Sequence, residues 1–399
     1  MSNGWGDRPP NPVIDNPVIY LDYHATTPVD PRVGDRVLHY MTAEFGNASS
    51  TDHEWGDRAE LAVRQAAQQV ADLVEASPRD IIWTSGSTES INLAIQGTVN
   101  PIARSGLTPR IAITAVEHKA VLDTCHALQK QGRIQLIELP VDARARLDLK
   151  HLETVCASGI HLLCVMAANN EVGTVYPIEK IGALAQQYNL PFLCDASQAV
   201  GKVPLRFNPW GITLLALSAH KLYGPKGVGA LIVQRGYPLE PLLYGGGHQR
   251  GLRSGTLNVP GIVGLGEACR LRQIEMHEDE PAIAQKRDRL QTLLIEQIPD
   301  LVINGDLENR LAGSLHFSIP DVPNSAVVAR VRPHLALSTG SACSSGVETP
   351  SHVLRAMGLS EELTEGALRI GIGKFTSDQE IDQAAALLSR AVQQIRDLL

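Results

Sequence analysis

Aromatic side chains are scarce in this chain: Phe, Trp and Tyr together make up 4 % of its 399 residues. The core must therefore be built mainly from Leu, Val, Ile and Ala. A long uncharged run is lacking as well. The longest apolar stretch, Ile160-His161-Leu162-Leu163-Cys164-Val165-Met166-Ala167-Ala168, falls far short of the ~20 residues that span a bilayer. Nor is there an excess of positive charge. With 35 Lys and Arg against 43 Asp and Glu the net charge is −8, which gives no reason to expect nucleic acid or an anionic membrane as partner. Cys-x-x-Cys pairs are missing. The six cysteines, at 125, 156, 164, 194, 269 and 343, suit a reducing compartment and not a structural zinc site, so no metal site is expected. The stretch Met1 to Pro17 has no apolar core and carries Asp7 and Asp15, so neither a signal nor a transit peptide is expected. These absences predict a cytoplasmic globular protein, long enough for two lobes with separate cores.

Short apolar runs alternate with helical patterns between about residues 80 and 235. Ile81 to Thr84, Arg110 to Thr114, Ile134 to Leu139, Ile160 to Ala167, Pro191 to Asp195, Ile212 to Ser218 and Val228 to Val233 read as strands. Continuous apolar strands separated by helices predict a mostly parallel sheet covered on both faces. Glu54 to Glu75 reads as one amphipathic helix, and a long helix beginning near Val259 would connect to a second lobe. That lobe reads as α+β: strands at 301–303, 314–319 and 367–372, and helices at 324–332, before Met357 and from Ser377. One Gly/Ser-rich loop, Leu337 to Gly346, interrupts it.

Lys221 closes the run Ile212-Thr213-Leu214-Leu215-Ala216-Leu217-Ser218-Ala219-His220-Lys221 and precedes the turn Gly224-Pro225-Lys226-Gly227. A surface lysine past a strand end is the ordinary reading. An apolar strand that delivers one amine into a polar turn is also how a reactive lysine is made, because desolvation favours the free amine that adds to an aldehyde. The rest of a pyridoxal phosphate site is then recognisable. Thr84-Ser85-Gly86-Ser87-Thr88-Glu89-Ser90 links a strand to a helix and offers N–H groups and hydroxyls to a phosphate, or plain capping. Asp195 ends a strand, where it suits a pyridinium nitrogen or an N-cap, and Gln198 follows one turn later. His118 could lie against a ring, and Asn170 follows the strand ending at Ala168. Ser87, Thr88, His118, Asn170, Asp195, Ser218, His220 and Lys221 would all fall at the carboxyl edge of one sheet, where open α/β sheets bind ligands. Cys343 lies among small residues, either as an exposed, harmless thiol or as a nucleophile. Arg369 sits inside a strand, to form a fork with a substrate carboxylate or to pair within the fold.

The chain resembles the cysteine desulfurases of the iron–sulfur-cluster type, within the class V aminotransferase-like pyridoxal phosphate enzymes. The resemblance runs from Tyr20-Leu21-Asp22-Tyr23-His24-Ala25-Thr26-Thr27-Pro28 nearly to the C-terminus. It is carried by the 84–90 turn, Glu117-His118-Lys119-Ala120-Val121, Asn169-Asn170-Glu171-Val172-Gly173, Asp195-Ala196-Ser197-Gln198 and Ser218 to Gly227. Gly245 to Thr256 and Gly340-Ser341-Ala342-Cys343 complete it. The longer loop around Cys343 resembles the first of the two desulfurase groups. Two departures are visible: Ala219 stands where many members have glycine, and the chain ends soon after Asp397 without the extension some members use to hold a cluster scaffold.

The resemblance implies an α/β fold of type I, with a large domain (28–275) built on a mostly parallel seven-stranded sheet. A smaller α+β domain (1–27 and 276–399) would carry the cysteine loop. It implies pyridoxal 5′-phosphate as cofactor, joined to Lys221, with Asp195 on the ring nitrogen, Gln198 at the ring hydroxyl and His118 stacked on the ring and active in proton transfer. Ser87, Thr88, Ser218 and His220 would hold the phosphate, with Thr256 supplied across a homodimer. Asn170 and Arg369 would hold the substrate carboxylate. The expected reaction turns L-cysteine into L-alanine and leaves its sulfur on Cys343 as a persulfide, for an acceptor such as an iron–sulfur scaffold protein. An ordinary aminotransferase, which needs no Cys343, a selenocysteine lyase, and a sulfur relay with a vestigial site are the alternatives.

Overall fold

A computed structural model of the chain describes residues 18–339 and 350–398; Cys343 lies outside them. The chain begins with β1 (Ile19–Tyr20), α1 (Pro31–Thr42) and α2 (Glu54–Val74). Then come β2 (Ile81–Thr84), α3 (Ser87–Arg104), β3 (Arg110–Thr114), α4 (Lys119–Lys130) and β4 (Gln135–Leu139). They are followed by α5 (Leu149–Ala157), β5 (Leu162–Cys164), α6 (Ile178–Gln187), β6 (Phe192–Asp195), β7 (Leu214–Ser218) and β8 (Gly229–Val233). A single helix, α7 (Val259–Gln297), leads to β9 (Val302–Ile303), β10 (Ser314–Ser318), α8 (Asn324–Val331) and β11 (Leu335–Ala336). The chain closes with α9 (His352–Ala356), α10 (Glu361–Glu365), β12 (Ala367–Gly371) and α11 (Asp378–Arg396).

Strands β2 to β8 form one seven-stranded sheet in the order β2-β8-β7-β6-β5-β3-β4. All neighbours are parallel except those of β8, which runs antiparallel to both β2 and β7. All but the edge strand β4 are buried on both faces: Ile82, Ile111, Leu193 and Leu231 face one apolar cluster, and Ala112, Leu163, Cys194 and Leu215 face the other. A strand covered twice has no polar face to show, which is why the sequence reads as continuous apolar runs.

Beyond this sheet, β12, β10 and β9 form a three-stranded antiparallel sheet, and β1 pairs with β11 in parallel. A separate cluster covers them, with Ile19 and Leu21 from the start of the chain beside Leu290, Phe317, Ile370 and Leu388. α7 spans both clusters: Ile262 and Leu265 pack in the first, Ile283 and Leu290 in the second. Among the described residues no helix is long and apolar enough to cross a membrane. Cys125, Cys156, Cys164, Cys194 and Cys269 are buried and unpaired.

Candidate active site

The parallel strands deliver their loops to one edge. Lys221 arrives there on a single 3₁₀ turn, Ala219–Lys221, directly after β7. It lines a cavity of about 230 Å³ together with His118, Asn170, Asp195, Gln198, Ser87 and Arg369. The Lys221 ammonium donates to the carbonyls of His24 and Ala25, the latter at 2.9 Å. Its pKa falls to about 7, chiefly through desolvation and next through the positive charges of Lys202 and Arg369, with Asp22 and Asp195 opposing. Half of such amines are neutral near physiological pH, the condition for attack on an aldehyde.

Asp195, at the end of β6, accepts on Oδ1 from the Ser197 N–H at 2.9 Å and the Ser197 hydroxyl at 2.5 Å. It caps no helix, so the capping alternative falls away. Gln198 is buried, and its Nε2 donates to the His24 carbonyl at 2.8 Å. His118 is the N-cap of α4, its Nδ1 accepting from the Ala120 N–H at 3.1 Å. Burial of the ring among its neighbours lowers its pKa even though the residue reaches solvent at the cavity edge. The neutral ring therefore carries its proton on Nε2.

A second cavity, of about 520 Å³, adjoins the first and shares Ala25 and Ser87 with it. Ser87, Thr88, Ser218 and His220 line it, with Lys226 and the backbone of Gly86. It sits at the N-terminus of α3, whose N-cap is Gly86 at φ +153°, and no side chain caps that helix. The first-turn N–H groups and the helix dipole are thus left for an anion. His220 Nδ1 meets the Thr26 hydroxyl at 3.2 Å, and burial takes its pKa down to about 4.

Arg369, in the centre of β12, is paired within the fold. Its Nη2 donates to Asp22 Oδ1 at 2.9 Å and its Nη1 to the Asn170 carbonyl at 3.0 Å, while the side chain also lines the first cavity. Its buried Nε has no partner among the described residues. Thr256 is exposed and reaches neither cavity. The thiol of Cys343 falls outside the described residues.

Several residues at this site were given no role from the sequence. His24 is 3 % exposed, and burial holds its pKa well down. Met166 and Ala168 line the cavity as apolar surface. Glu117 beside His118 is fully buried; its Oε1 accepts from the Thr114 hydroxyl and the Met166 N–H, and desolvation raises its pKa to about 8. An acid among apolar strand residues was the available sign. The site as built can hold a flat ring with an anionic arm, with a neutral amine at one end and a guanidinium at the other.

The family model for class-V aminotransferases matches residues 19–384 of the chain. A cysteine desulfurase IscS of Anaeromyxobacter dehalogenans is 44% identical over 382 residues, 95% of this chain and 94% of that protein. Among solved structures, a NifS-like protein superposes with a TM-score of 0.88 at 33% identity, covering 94% of this chain and 100% of that one. A structure described as SspA in complex with cysteine matches with a TM-score of 0.80 at 33% identity, over 90% of this chain and 100% of that one.

Proposed function

The chain belongs to the class-V aminotransferase family and, within it, to the cysteine desulfurases; from that premise we propose that it takes the sulfur of L-cysteine onto Cys343 and releases L-alanine. The family depends on pyridoxal 5′-phosphate, and the residues present suit that group. The uncapped helix at Gly86 and the hydroxyls of Ser87, Thr88 and Ser218 fit a phosphate. Asp195 and Gln198 fit the ring nitrogen and ring hydroxyl, His118 fits the ring face, and Lys221 fits the aldehyde. The observation that carries this reading is the convergence of a depressed lysine, an acid and a guanidinium on one cavity.

When bound, the cofactor supplies an electron-withdrawing ring that makes the substrate Cα–H acidic. The chain's own residues do the rest. Asn170 and Arg369 orient the substrate carboxylate, a fork that a single ammonium could not replace. Lys221, half in its neutral form near pH 7, moves the Cα proton, and His118 is placed for a second proton transfer. In the sulfur step an S–S bond forms between Cys343 and the substrate sulfur while the substrate Cβ–S bond breaks. The carbon keeps that electron pair and gains a proton, so cysteine and one thiol become alanine and one persulfide.

The same reading includes a large domain over 28–275 and a small one from 1–27 with 276–399, supported by the separate apolar clusters. It also includes a homodimer in which Thr256 serves the neighbouring phosphate site, supported by the exposure of Thr256. A protein acceptor, such as an iron–sulfur scaffold, would then take the sulfur. The reduced cysteines support the cytoplasm as its place. Alanine release from L-cysteine, with a reductant and no keto acid, tests the reading. Cys343→Ala should abolish it, and alanine that appears only with a keto acid would instead mean transamination.

A further inference from the structure

The turn after Gln198 carries a lysine with no assigned role. Lys202 Nζ donates to Gln198 Oε1 at 3.2 Å, Gln198 Nε2 donates to the His24 carbonyl at 2.8 Å, and the same carbonyl accepts from the Lys221 ammonium. A continuous hydrogen-bonded path therefore joins Lys202 to Lys221 through one carboxamide and one carbonyl. Because Lys202 is a donor only, it fixes which end of the Gln198 amide faces it, and so which end faces His24.

Lys202 is itself held from behind by α7. Arg272, 1 % exposed, donates through Nε to the Gly201 carbonyl at 2.7 Å, next to Lys202 in sequence. Its Nη1 and Nη2 bind Asp279 at 2.5 Å and Glu280 at 2.6 Å. Burial lowers the Lys202 pKa to about 8, with Glu280 favouring its ammonium and Arg272 opposing it, so near pH 7 it is mostly charged. Around Lys221 stand Asp22, Asp195, Lys202 and Arg369, together with His24, His118 and His220. Of the cations, Lys202 has the largest effect on the Lys221 amine.

We propose that Lys202 is a positioning residue for the Schiff-base lysine: it orients Gln198, and through the hydrogen-bonded path to the His24 carbonyl it sets the place of the Lys221 amine and disfavours a second charge there. This rests on the role given to Lys221 under the desulfurase reading. The site thus keeps one lysine charged in order to discharge another, a use of like charges close together in a poorly solvated place.

The test is competitive acetylation of the whole chain without cofactor, followed from pH 5 to 10 by mass spectrometry of the Lys221 peptide. Lys202→Met keeps the volume and removes the charge, and should move the midpoint for Lys221 up by about one pH unit, a roughly fivefold slower reaction at pH 7. Lys202→Arg keeps the charge and should hold the wild-type midpoint. Should Lys202→Met not fold, Lys202→Gln reads the same shift. A purely structural role would lower thermal stability and leave the midpoint where it is, and that result overturns the proposal. Since no cofactor or cysteine enters the assay, its failure is distinct from failure of the desulfurase reading, which alanine release decides.

Discussion

A lysine that is half neutral near pH 7 behaves differently from one on the surface, and Lys221 is such a residue. Uptake of pyridoxal phosphate by the cofactor-free protein should accelerate as pH rises through about 7, following the free amine, and level off well below the ordinary lysine value of 10.5. Stopped-flow absorbance of the incoming cofactor measures this; a rate still climbing steeply at pH 10 contradicts it. Arg369 lends itself to a separate test. Arg369→Lys keeps the charge and loses the fork, so KM for L-cysteine should rise about tenfold, the size of one charge-assisted hydrogen bond. The dependence of rate on cysteine concentration reads it, with a melting curve to show that the fold survives loss of the Asp22 contact. Lys221, Asp195 and His118 were legible because each follows an apolar strand in the sequence. His24 and Lys202 were not, since what matters about them is a distant partner: the His24 carbonyl meets Gln198 and Lys221 only after β1, β6 and β7 are brought together.

The elements were legible where they are long or doubly buried, as in β6, β7 and α7. α1 went unread: of its sequence PRVGDRVLHYMT the fold buries only Val33, so no apolar run marks it. Two-residue strands such as β1 and β11 carry no pattern; they exist because the small lobe's core covers Ile19 and Leu335. The junction between β3 and β5 has its own chemistry in Glu117, which ties Thr114 to Met166. Its folded pKa of about 8 stands above the ordinary carboxyl value of 4.5. The folded state therefore keeps a proton that the unfolded chain gives up, and stability is lost as pH climbs from 4.5 through 8. Glu117→Gln, neutral at every pH, should remove this loss and gain about 4 kcal/mol over wild type at pH 9 relative to pH 5. Chemical denaturation at the two pH values measures the difference; an equal effect at both would contradict the assignment.

At the scale of the molecule, one surface stands out. Leu38, Met41 and Phe45 lie along and just past α1, with exposures of 60, 62 and 67 %, and the Phe45 ring stacks on Trp55 of α2 at 4.9 Å. Large apolar side chains gathered on one face mark an interface, in line with the homodimer proposed above. Phe45→Glu combined with Met41→Lys should weaken self-association by at least tenfold, seen by analytical ultracentrifugation; unchanged sedimentation would locate the dimer contact elsewhere.

The central claim is that sulfur leaves cysteine for Cys343, and intact-protein and peptide mass spectrometry after a brief exposure of the cofactor-loaded protein to L-cysteine tests it most directly. One added sulfur atom should appear on the Cys343 peptide, removed by a thiol reductant, with an equal amount of alanine released. Alanine formed while Cys343 remains unmodified, or sulfur found on another cysteine, would contradict it.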